Sequence, residues 1–191
     1  MRKNVTIFHG VLSGNFATAR LTRALHRAGF TVVQNADTAD IMLAHSAGCM
    51  YIPKLHPGQK VVMVDPPYWP GKTIWGRVRA RSRSNLLFYR DGYPFHVWLI
   101  RNLWGIYYAV AETKRTLRII RAARTFDLAK AINDQTVILV RNEHDDWLTP
   151  NLDMLQHDNP KLQIVHLPGD HDDFHYNPQA YVDLVQSLYK D

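Results

Sequence analysis

A doubly wound, mainly parallel α/β sheet of about six strands, carrying a helical cap insertion, is the fold class that this sequence predicts. Three observations lead there. Short aliphatic and β-branched runs recur at Val5–Phe8, Thr31–Gln34, Ile41–Ala44, Lys60–Val64, Thr136–Val140 and Leu162–His166. They are apolar at consecutive positions, so both of their faces are expected to be covered, as in a parallel sheet between helices. Between the first two runs, Ala17, Leu21, Ala24, Leu25 and Ala28 fall at helical spacing and Gly29 follows as a stop, which makes a strand–helix–strand unit. One long stretch, residues 69–132, breaks the alternation.

The 191 residues are 46% hydrophobic, enough for one domain with a real core, and this excludes disordered and collagen-like chains. Cys49 is the single cysteine, so no internal disulfide exists and a reducing compartment is expected. The apolar stretch before His9-Gly10 is too short for a signal-peptide core. The most apolar segment, Trp98–Ala111, is interrupted by Arg101 and Asn102 and falls short of the ~20 residues of a membrane span. A soluble, cytoplasmic protein is the expectation.

The strands follow in order. The link from Gln34 to Ile41 is short for a parallel crossover, which normally takes a dozen residues. One resolution puts the second strand at the sheet edge, on the far side of the first. The expected division is a core of residues 1–68 and 133–191 around a basic helical cap, 69–132. Residues 71–130 hold 13 Lys/Arg against 3 Asp/Glu, whereas the rest of the chain holds 10 against 14. The net charge of +6 therefore belongs to the insertion. Within it, Arg77, Arg79, Arg81 and Arg83 alternate, a turn is expected at Asp91-Gly92, and Leu99, Leu103, Ile106, Val110, Leu117 and Ile120 form a helical stripe.

Chemistry gathers at the ends of the predicted strands. Ile41–Ala44 runs into His45-Ser46-Ala47-Gly48, where Ser46 has Ala44 and Gly48 two positions to either side. Small flanking residues fit a strained strand-to-helix turn that presents a serine hydroxyl, since such a turn brings positions 44 and 48 close together. A serine nucleophile needs a base, and the base an orienting acid. Asp145 and Asp146 follow the fifth strand. After the sixth come Asp170-His171-Asp172-Asp173 and then His175, with His166 on the strand itself and expected to be packed.

The stretches VTIFHG, ADIMLAHSAG, VILVRNEHDDWLTP and HLPGDHDDF, followed by NPQAYVDLVQSLY, resemble the α/β-hydrolase family over nearly the whole chain outside the insertion. The resemblance implies Ser46 as nucleophile, His171 as general base and Asp145 as acid. Asp145 is preferred over Asp146 because the family's acid stands three residues past the position held here by Asn142. It implies an oxyanion hole made by the backbone N–H groups of Ala47 and Val11. The activity implied is that of a serine hydrolase cleaving a carboxylic ester or thioester of a small-molecule acyl substrate, with no cofactor. Ala44 replaces the family's usual first glycine, and the antiparallel start of the sheet and the helix before the nucleophile strand are absent or reduced, which makes this a minimal version. The family order also places Thr31–Gln34 outside the first strand.

Other readings are weaker. The Asp- and His-rich loops suit a divalent ion in donor type but match no zinc spacing, so no metal is expected and a solvated acidic loop around His171 is the plainer account. Gly71-Lys72-Thr73 ends like a phosphate-binding loop, but Pro66, Pro67 and Pro70 lack the N–H groups that cradle phosphate. Cys49 reads as a small packed residue. The insertion reads either as a solvated helical face or as a cover over the site that rests on an anionic membrane surface. Nucleic acid is not an expected partner of the hydrolase, and no oligomeric state is read. The competing function is a catalytically degenerate binding protein on the same scaffold, whose basic insertion holds anionic lipid or nucleic acid.

Overall fold

The computed structural model describes residues 3–10, 15–68, 95–132, 137–145, 152–159 and 162–189. Val11, Asp146, the period-two arginines, the Asp91-Gly92 turn and the Gly71-Lys72-Thr73 stretch lie outside them.

Strands β1 (Lys3–Phe8), β2 (Phe30–Val32), β3 (Ile41–His45), β4 (Lys60–Val64), β5 (Val137–Asn142) and β6 (Gln163–Leu167) form one parallel sheet in the order β2-β1-β3-β4-β5-β6. Helices are α1 (Asn15–Arg27), α2 (Phe95–Ala111), α3 (Thr113–Thr125), α4 (Leu128–Ile132), α5 (Asp153–Asp158), α6 (Asp173–Tyr176) and α7 (Gln179–Ser187).

The apolar runs are buried on both sides, and alternate residues enter different cores. Ile41, Leu43, Val62, Val64, Ile138 and Val140 pack with Leu21 and Leu25 of α1 and with Phe174, Tyr181 and Val185 of α6 and α7. Met42, Ala44, Val61, Met63, Val137 and Leu139 pack with Leu128 and Ile132 of α4 and Leu155 of α5. Two helical layers on one parallel sheet make the fold doubly wound. Each of Leu21 and Leu25, fully buried, contributes roughly 1.5–3 kcal/mol of burial. Gly29 ends the helix at φ +89°, a left-handed position that glycine adopts without steric cost.

Register explains the short link between β2 and β3. Val32 pairs with Val5 on one side of β1, and Ile41 pairs with the same Val5 on the other. The chain leaves β2 and enters β3 at one level, so it needs only to cross β1 sideways, about 10 Å at ordinary strand spacing, and not to return along the sheet. Asn4 of β1 holds the crossing segment, its Nδ2 donating to Thr38 O at 2.9 Å and its backbone N–H to Asp40 Oδ2 at 2.8 Å.

The helix expected after Ser46 is a 3-10 helix over Ser46–Tyr51. One expectation changes. His166 lies on β6 as expected but is exposed, because β6 is the sheet edge and its faces are only partly covered.

Candidate active site

Ser46 directly follows β3 with φ at +54°, a left-handed conformation that L-residues rarely adopt. Its side chain is nearly buried, at 6% exposure. The surroundings enforce small neighbours. A Cβ on Gly10 would lie 2.8 Å from Ser46 Cβ, and one on Gly48 would lie 2.3 Å from Phe8 O and 2.6 Å from Phe8 C. Gly48 is therefore required by the backbone at the end of β1, which cannot swing aside as a side chain can. We expect Gly48→Ala to cost about 3 kcal/mol or more of stability, read as a lowered urea midpoint with an unchanged slope. A variant as stable as the parent would contradict this approach of β1.

The backbone ladder between β5 and β6 continues past the strands, with Glu143 N–H donating to Leu167 O and His144 N–H to Gly169 O, both at 2.9 Å. It aligns the two loops, and His171 Nδ1 lies 2.7 Å from Asp145 Oδ2. The pair is closed to solvent, with side-chain exposures of 4% and 0%. A carboxylate on Nδ1 requires the N–H there and leaves Nε2 as the basic nitrogen. Burial by itself lowers the His171 pKa, but the charges of Asp145, Asp65 and Asp172 and the hydrogen bond that His171 donates to Asp145 outweigh it, and the imidazole is raised to about 9.

Two further residues belong to this constellation, and both were missed in the sequence. His45, buried beside Ser46, donates from Nε2 to His171 O at 2.8 Å and stacks on Phe174 at 4.6 Å between ring centroids. Burial first, then the neighbouring His171 and His175, hold its pKa well below the usual histidine value, so it stays neutral. It ties the end of β3 to the backbone of His171. Asp65, at the end of β4 with φ +45°, places Oδ2 3.9 Å from His171 Nδ1. Its carboxylate accepts from Asn142 N–H at 3.0 Å and from Asn142 Nδ2, while Tyr181 donates its hydroxyl to Asn142 Oδ1 at 2.8 Å. Burial and then Asp145 push Asp65 well above the ordinary carboxyl range. Both residues stand at carboxyl ends of strands, where functional side chains of such sheets gather, and that position was the available signal.

The acidic loop is not solvated. Asp170 and Asp173 are 3% and 5% exposed. Asp173 Oδ2 accepts from Asp170 N–H at 2.7 Å, and Asp170 Oδ1 from Asp172 N–H at 2.8 Å, so these carboxylates order the turn that carries His171. His175 is buried and meets the His45 ring edge-on at 4.9 Å. His144 is exposed. Cys49 is buried, and its Sγ–H faces Ala44 O at 3.4 Å.

His45, Asp65 and His171 are the described residues that could together hold a metal ion, with donor atoms within 4.8 Å of one another. One nitrogen of each ring is already engaged, His171 Nδ1 by Asp145 and His45 Nε2 by a carbonyl, so an ion there would have to use the other ring nitrogens or displace these bonds. The cluster is a hydrogen-bond network around the imidazole.

No protein-family model matches the sequence, and no curated protein matches it. Solved structures do. A bromoperoxidase from Bacillus anthracis superposes with a TM-score of 0.70 at 14% identity, covering 100% of this chain and 93% of that one. The enol-lactonase from Burkholderia xenovorans LB400 gives 0.68 at 14% identity, over 100% and 92%. A thioesterase domain from the curacin biosynthetic pathway gives 0.60 at 12% identity, over 97% and 91%. At such identities the likeness is one of fold.

Proposed function

Because the chain has the α/β-hydrolase fold, we propose that it is a serine hydrolase that cleaves a carboxylic ester or thioester through an acyl-enzyme on Ser46. The observation that supports this best is the buried Asp145–His171 pair, tied through His45 to the strained turn at Ser46. His171 Nε2 takes the hydroxyl proton as Ser46 Oγ attacks the acyl carbonyl. Asp145 holds the tautomer and stabilises the imidazolium. The developing oxyanion is assigned to the backbone N–H groups of Ala47 and Val11, the donors that the family resemblance implies. Collapse of the tetrahedral adduct breaks the bond to the alcohol or thiol, which leaves with the proton from His171. Water, deprotonated by His171, then releases the acid and restores Ser46.

The base acts only when neutral, and its pKa is raised to about 9. We expect kcat/KM to rise about tenfold per pH unit below that value and to level off above it. An ascending limb near the ordinary histidine value would contradict the carboxylate environment of His171.

The direct test is turnover of short-chain p-nitrophenyl esters and of an acyl thioester under initial-rate conditions. A saturable rate with a burst of nitrophenol supports the acyl-enzyme. Folded protein that turns over none of them is the result expected of a degenerate binding protein on the same scaffold.

A further inference from the structure

The helical stripe of the insertion does not face the core. Leu99, Leu103, Ile106 and Val110 fall within an arc of about 60° on α2 at 100° per residue, and they are 38%, 56%, 62% and 74% exposed. On α3, Ile119 and Ala123 are buried, while Leu117 and Ile120 are 48% and 41% exposed. The α3 segment carries five exposed cations, Lys114, Arg115, Arg118, Arg121 and Arg124, and no acid. By helical position Lys114, Arg121 and Arg124 share the exposed side with Leu117 and Ile120. A soluble protein rarely shows so continuous an apolar surface without a use for it.

From this juxtaposition we propose that α2 and α3 form a docking surface for an anionic lipid bilayer. The charge decides the occupant. A second copy would bring the same cations against these, whereas anionic headgroups neutralise them and the apolar stripe enters the headgroup–acyl boundary. The helices lie on the membrane and do not cross it. Among the described residues no helix is long and apolar enough to span, and the 17 residues of α2 reach only about 26 Å of a ~30 Å hydrocarbon core. The other side of α3 packs against the 3-10 helix that begins at Ser46. Docking there would bring the site to the lipid surface, so that acyl substrate enters from the bilayer; this last step rests on the proposed hydrolase, and the docking itself does not.

Flotation of the full chain with vesicles of phosphatidylcholine, with or without phosphatidylglycerol, tests the surface apart from catalysis. The protein should float with the anionic vesicles, less as salt rises, and Ser46→Ala should float equally. Leu103→Asp with Ile106→Asp should abolish flotation. Arg121→Gln and Arg124→Gln, which replace exposed side chains, should each weaken it about fivefold. Lack of flotation, or flotation that ignores both sets of changes, would overturn the proposal. So would a dimer in solution that the Leu103 and Ile106 changes convert to monomer, since the stripe would then be a contact between copies.

Discussion

Ser46→Ala should lower kcat for ester hydrolysis by on the order of 10⁵- to 10⁶-fold with little change in fold. In the proposed mechanism the residue contributes chemistry more than packing: its hydroxyl stands on a turn at φ +54°, in space set by Gly10 and Gly48. Alanine fits that space and meets the same backbone strain as serine. The whole covalent route is lost, since neither His171 nor Asp145 can form an acyl ester equivalent to that on Ser46. What remains is oxyanion stabilisation of direct water attack. Activity above about one part in a thousand of the parent would place the nucleophile elsewhere. Matching thermal transitions of parent and variant separate lost chemistry from lost fold.

Asp145→Asn should reduce kcat by about 10⁴-fold. The amide can present its N–H₂ to His171 Nδ1, which favours the tautomer with the proton on Nε2, where the nitrogen must be basic. The imidazolium also loses the closest of the carboxylates that hold it at about 9, so the ascending limb of the pH profile should move to lower pH. Asp65 does not take over, because its carboxylate is engaged by Asn142 and stands 3.9 Å from Nδ1. A variant within tenfold of the parent, with its limb still near 9, would mean that Asp65 is the acid that acts.

Much of the fold was legible because burial on both faces writes itself into a strand as an unbroken apolar run. Lys60–Val64 begins and ends as the pattern predicts, and Ile41–Ala44 extends by one residue. The edge strand was legible as a strand but not in its exposure: Gln163 and His166 are exposed, and among the described residues β6 is the edge of the sheet. The crossover between β2 and β3 showed in the sequence as an anomaly of length, and only the shared level at Val5 resolves it. Asp145 and His171 could be singled out because their loops follow adjacent strands. For His45 and Asp65 the strand-end position was the whole of the signal, since one polar residue there has no periodicity and its importance comes from partners 126 and 77 positions away. The stripe on α2 shows another limit. Spacing says which residues share a face of a helix, but not what that face meets.

Treating the folded protein with a fluorophosphonate and mapping the adduct by mass spectrometry tests the central claim most directly. The account predicts a single phosphonylated residue, Ser46, formed faster as pH rises toward 9 and absent in Ser46→Ala. Phosphonylation at another residue, or none on protein whose thermal transition shows it to be folded, would contradict it.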